Sequence, residues 1–138
     1  MRWCINQNNM TQRPGLYIAH TENHGRGVFT AEAIPREDVF EIAHVIEIPP
    51  EELPIIHKSA LHDYYFLWGE NLDRCVIALG FGSLYNHKID ANATFILDLD
   101  KGTIDFIAVK DIKPGEEITI NYHGENGDDT PLWWQNRD

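Results

Sequence analysis

The stretch ALGFGSLYNHKIDAN, Ala78 to Asn92, decides how this chain is read. Val76, Ile77, Ala78 and Leu79 begin it as a buried strand. Gly80 and Gly82 then interrupt the pattern, and a small apolar run ends on Tyr85-Asn86-His87. A purely structural segment ends more often on a turn of Asn, Asp, Gly or Pro. Glycines let a backbone approach a ligand closely, and the amide and imidazole that follow them supply polar groups at that point. The bland alternative is that Asn86 and His87 cap a turn.

Composition bounds the answer. At 138 residues the chain is expected to be one domain, and with 43% hydrophobic residues it can bury a core. The net charge of -11 argues against binding to nucleic-acid phosphates, which calls for a basic surface. It suits a basic partner such as a Lys- or Arg-rich protein segment, although an acidic surface also serves solubility alone. Two cysteines, Cys4 and Cys75, make neither a disulfide framework nor a Cys-rich zinc site, so a reducing, intracellular setting is expected. No apolar run reaches transmembrane length, and MRWCINQNNMTQRPG lacks a hydrophobic signal core.

Working outward, the chain reads as short strands with turn punctuation. Residues 1–13 are polar and expected to be loose. LYIAH from Leu16, the apolar part of HGRGVFTAEAI up to Pro35, DVFEIAHVIEI and DYYFLWG are strand candidates. PPEELPIIHKSA offers a short helix start, limited by Pro54. TFILDLDKGTIDFIAVKDI reads as a hairpin with Asp-Lys-Gly at its turn, and Pro114-Gly115 launches a last strand. The acidic tail HGENGDDTPLWWQNRD is loop-like, yet holds Trp133 and Trp134. The class is therefore mainly β with minor helix.

Three islands carry the candidate chemistry: NHGRGVF with Gly25 and Gly27 around Arg26, the stretch ending on Asn86-His87, and GEEITINYHG ending on Tyr122. Each alone is weak, since a G-x-G triplet is most often a turn and a Tyr at a strand end is most often packing. GRGVF, NHKIDAN and AVKDIKPGEEITINYHG in that order resemble the SET domain, the family of protein-lysine methyltransferases, over nearly all of Leu16 to Gly124. LGFGSLYNH and GEEITINY are most similar to the small viral SET enzyme that methylates a histone tail. The pre-SET and post-SET cysteine clusters of many relatives are absent, so the chain resembles the minimal catalytic unit.

The resemblance implies a compact, β-clip-like fold of short sheets with a knot-like C-terminal segment, a SET domain over 14–124, and a tail over 125–138. It implies S-adenosylmethionine as cofactor. Asn86 and the backbone of His87 would hold its methionine and adenine parts, and the Gly25-Arg26-Gly27 loop its amino-acid end. Tyr122 matches the catalytic tyrosine and Tyr64 a second active-site tyrosine. Tyr65, Phe66 and Phe106 are further candidates for an aromatic lysine channel. Trp133 and Trp134 either anchor the tail or form a lid over the cofactor, with Trp134 the cofactor-contacting candidate. Departures from the family stand at Lys88, usually Ser, at Ala91, usually Pro, and at Arg26, aromatic in the viral relative. They bear on cofactor affinity more than on fold.

The expected partner is a basic protein or peptide carrying the target lysine, a histone among them, with no nucleic acid and no membrane. A homodimer is compatible with the sequence. The expected compartment is the cytoplasm or, by analogy, a host nucleus. Two other readings remain: a SET fold that binds cofactor or peptide without transferring methyl, and a metal-dependent β-barrel enzyme using histidines. For the latter, His20 and His24 stand at i,i+4 spacing, yet no helix is evident there, so surface histidines are expected, and no ligand set supports it.

Overall fold

The computed structural model of the protein describes residues 11–22, 25–124 and 127–129. Strands β1 (Leu16–Thr21) and β2 (Gly25–Thr30) form an antiparallel hairpin. The long strand β3 (Val39–Ile48) leads through a short 3-10 turn into α1 (Leu53–Ile56), then to β4 (Tyr65–Trp68) and β5 (Arg74–Ala78). A 3-10 turn at Gly82–Leu84 precedes the two-residue β6 (Asn86–His87). The hairpin β7 (Ala93–Asp98) and β8 (Thr103–Ala108) turns at Asp-Lys-Gly as expected, and β9 (Glu117–Ile120) follows Pro114-Gly115. The strands run in the order β1-β2-β9-β7-β8-β3-β5-β4, with β6 paired in parallel to β9.

The core forms where alternation along the strands turns apolar side chains inward. Ile104, Phe106 and Ala108 of β8 are buried, as are Ile118 and Ile120 of β9, together with Phe40 and Tyr85. Phe106 lies at the centre of the aromatic packing, with ring centroids 4.8 Å from Tyr85 and 6.1 Å from Phe66.

Four expectations are corrected. Residues 11–13 are not loose: Arg13 N donates to the Phe40 carbonyl, Ile42 N to the Thr11 carbonyl, and Arg13 pairs with Asp38 at 2.8 Å. Pro54 does not end the helix but sits in its first turn, where its missing N–H has no partner to lose. The triplet Gly25-Arg26-Gly27 is not a loop; it is the first half of β2, paired with Thr21, His20 and Ala19. Gly80 and Gly82 answer to the core as much as to any ligand path. Gly80 has a φ of +66° and its missing side chain makes room for the Glu41 carboxylate, while a Cβ at Gly82 would meet those of Ala78 and Ala43.

The segment after β9 closes on the chain that follows β6. Asn121 Nδ2 donates to the carbonyls of Ile89 at 3.2 Å and Asp128 at 2.8 Å, and Gly127 N reaches the same Ile89 carbonyl at 2.7 Å. This clasp ties the C-terminal segment to the chain after β6. Cys4, His24, Trp133 and Trp134 lie outside the described residues.

Candidate active site

Two clusters meet at β6, because its two residues face different neighbours. The first surrounds Asn86. Its side-chain amide donates to the Arg26 carbonyl at 3.1 Å and to Oε2 of Glu117 at 2.7 Å. Gly27 lies against the same pair: a Cβ there would overlap the Glu117 carboxylate and stand 2.9 Å from Asn86 Nδ2. Register explains the convergence, since β2 and β6 both pair with β9, which Glu117 opens. Asn92 fixes the other side of β9, donating to the Glu117 carbonyl and accepting from Thr119 N, both at 2.9 Å.

The second cluster surrounds Tyr122. Its hydroxyl donates to the Tyr85 carbonyl at 2.7 Å. Its main-chain N–H donates to Nδ1 of His87 at 3.0 Å, which requires that nitrogen to be unprotonated. The His87 ring tilts against that of Tyr122, with centroids 5.1 Å apart. The side chain of His87 therefore places the tyrosine, a role the sequence reading gave to neither its ring nor its nitrogen. Burial, reinforced by neighbouring Tyr64, Asp63 and Glu117, pushes the Tyr122 hydroxyl up to about 12. It stays neutral throughout the physiological range.

Tyr122 opens onto a cleft of about 640 Å³ that also holds Tyr64, Tyr65 and Phe66. The structure thus brings the two predicted tyrosines into one site. Tyr65 is held by His57, whose Nε2 lies 2.9 Å from its hydroxyl. Phe106 is not a channel residue. It is fully buried beneath Phe66 and Tyr85, because its place on β8 turns it into the core.

The chain matches the SET domain family over residues 25–123. That span covers both clusters and most of the sheet. The chain belongs to the SET-domain family. A Schizosaccharomyces pombe relative, named a histone-lysine N-methyltransferase specific for H3 lysine-37, is 34% identical over 111 residues, covering 80% of this chain and 74% of its own. A solved structure of a Plasmodium falciparum protein with a provisional assignment as a histone methyltransferase superposes with a TM-score of 0.65 at 28% identity. It covers 89% of this chain and 98% of its own. The protein is a SET-domain lysine methyltransferase, mainly β in fold. These relatives are fungal and apicomplexan, and the likeness to the viral enzyme is not confirmed by them.

Three residues in or beside these clusters escaped the sequence reading. Glu117 stands inside the quoted GEEITINY motif, where it reads only as an acidic strand opening. Tyr85 directly precedes Asn86, yet nothing in its type marks its carbonyl as the partner of a distant hydroxyl. Glu41 looks like a polar residue in a strand. It is buried, accepting from the Tyr85 hydroxyl at 2.7 Å, and from Gln12 Nε2 and Phe81 N at 2.9 Å each. Burial raises its carboxyl above the ordinary value while these donors pull it back. No local signal marks Glu41: alternation puts it on the face opposite Phe40, Ile42, Ile46 and Ile48, and Phe40 and Glu41 are both buried where the pairing of β3 with β8 shifts register.

Proposed function

We propose that this SET domain transfers a methyl group from S-adenosylmethionine to a lysine of a basic protein segment, with histone tails the leading substrates. The observation that carries the reading is the fixed Tyr122 hydroxyl, bonded to the Tyr85 carbonyl in a cleft shared with Tyr64 and adjoining the Asn86–Glu117 cluster through β6.

The residues present fit the cofactor. An amino-acid group asks for acceptors around its ammonium and donors around its carboxylate, with no side chain in the way. Glu117 and the Arg26 carbonyl are such acceptors, held together by the Asn86 side-chain amide that donates to both; Gly27 makes room for the Glu117 carboxylate, and the donor role falls to the exposed Arg26 side chain. Bound there, the cofactor supplies an electrophilic methyl group. The chain's own part is alignment in a dry site. Free lysine is mostly protonated at neutral pH, with a pKa of about 10.4. The aromatic cleft disfavours the ammonium form and so favours the neutral, nucleophilic amine. With its proton directed at the Tyr85 carbonyl, the Tyr122 hydroxyl acts as an acceptor toward the methyl C–H groups and the amine. Its high pKa rules it out as a general base near neutrality.

The net charge of -11 supports a basic substrate, and a nucleus or cytoplasm where such tails are met is the matching setting. Transfer of radiolabelled methyl to histones and to total lysate protein, with the modified residues mapped by mass spectrometry, tests the reading. Methylated lysines are expected. Intact cofactor binding without transfer to any protein would favour a non-catalytic binding module.

A further inference from the structure

The β4–β5 hairpin carries an anomaly that the chemistry of transfer leaves unexplained. Its connection runs from Gly69 to Asp73 and closes with Leu72 N donating to the Gly69 carbonyl at 3.1 Å. Leu72 takes a φ of +54° there. This left-handed conformation suits Gly or Asn at a hairpin position and disfavours a bulky residue. Leu72 is also 49% exposed, so burial in the core does not offset that cost. An exposed leucine in a conformation that disfavours it has to be sought in what its side chain faces.

It faces the cleft. Leu72 lines the same cavity as Tyr64 and Tyr122, together with Leu67 of β4 and Leu97 of β7. Leu67 is 52% exposed. It too sits where a polar residue would satisfy the strand, since β4 ends the sheet. Three leucines from three separate elements therefore form one apolar wall, contiguous with the tyrosines that receive the lysine.

We infer that Leu72, Leu67 and Leu97 form a specificity subsite that takes an apolar side chain of the substrate close in sequence to the target lysine. The inference rests on the methyltransferase reading for the identity of the occupant. Continuity with the Tyr64–Tyr122 cleft supplies that occupant: whatever chain delivers a lysine to Tyr122 has its neighbouring residues beside this wall. The net charge draws a basic segment in, and the leucines discriminate among such segments. A histone-like tail with only polar neighbours to the lysine would leave the wall uncovered.

The test uses the whole chain and fluorescent lysine peptides of equal charge, with Leu, Ile or Phe against Ser or Gln at positions flanking the lysine. Peptide affinity is read by anisotropy, independently of turnover. Wild type binds the best apolar-flanked peptide about tenfold more tightly than its polar counterpart, the scale of one apolar group in a fitted pocket. Leu72→Asn, which tolerates the left-handed backbone, removes that preference while thermal melting holds or rises by about 2–5 °C. Leu72→Met keeps the preference. Equal affinity for both peptide classes in wild type overturns the inference. So does a Leu72→Asn protein that retains the preference, or one that melts lower with selectivity unchanged. A preserved preference in a protein that transfers no methyl sinks the methyltransferase reading and leaves the subsite standing.

Discussion

Tyr122→Phe removes one oxygen from the site and almost nothing else. In the structure that oxygen donates to the Tyr85 carbonyl at 2.7 Å. Losing the bond costs about 1 kcal/mol net, and up to about 3 kcal/mol if the carbonyl finds no other donor. The ring stays beside His87, 5.1 Å between centroids, and the main-chain N–H still reaches His87 Nδ1 at 3.0 Å. A domain stable by about 5–15 kcal/mol survives such a loss. Turnover is expected to fall about a hundredfold, the effect of removing one preorganised polar group from an active site. That corresponds to about 2.7 kcal/mol of barrier. Unfolding cannot mimic it, because leaving 1 molecule in about 100 folded requires loss of the entire stability plus a further ~2.7 kcal/mol. The assay is single-turnover methyl transfer with enzyme in excess, alongside cofactor titration calorimetry and urea unfolding. Near-normal turnover, within about threefold of wild type, would refute the assignment and leave Tyr122 a packing residue; a hundredfold loss with cofactor affinity intact supports alignment.

Other outcomes follow from the same geometry. Gly27→Ala places a methyl against the Glu117 carboxylate and Asn86, so cofactor affinity measured by calorimetry drops at least tenfold while far-ultraviolet dichroism stays that of the wild type. Glu41→Gln puts an amide where three donors converge and destabilises the fold by about 1–3 kcal/mol in urea unfolding; unchanged stability would show the carboxylate network to be dispensable. The folded-state pKa of Tyr122, about 12, lies above its ordinary 10.0, so the folded chain holds this proton more tightly than the unfolded one. Its contribution to stability is complete below pH 10 and is lost as pH climbs toward 12. Stability measured across that window declines less steeply in Tyr122→Phe than in wild type. Finally, with a net charge of -11, kcat/KM for a basic peptide declines as salt rises from low to physiological strength, and a flat response would reduce the acidity to solubility.

The sequence by itself determined the strand-rich class, the β7–β8 hairpin and the three islands, because these rest on local signals. Alternation of period two, Asp-Lys-Gly and Pro114-Gly115 at turns, and glycines beside polar residues all act over a few positions. It also marked Asn86, His87, Gly27, Tyr64 and Tyr122 through their order and their likeness to SET domains. It did not reveal that Gly25 to Gly27 belong to a strand, since glycine reads as a turn until a partner strand is in register. It placed Phe106 in a channel, where only the packing of β8 against its neighbours shows which face is inward. Glu41, Tyr85 and Glu117 take their places in or beside these clusters through contacts across 31 to 44 positions of chain, distances over which no local pattern speaks. The decisive bond, Tyr122 hydroxyl to Tyr85 carbonyl, involves a main-chain oxygen that every residue possesses. Its identity is set by the clasp of the post-β9 segment on the chain after β6, and so by tertiary structure alone.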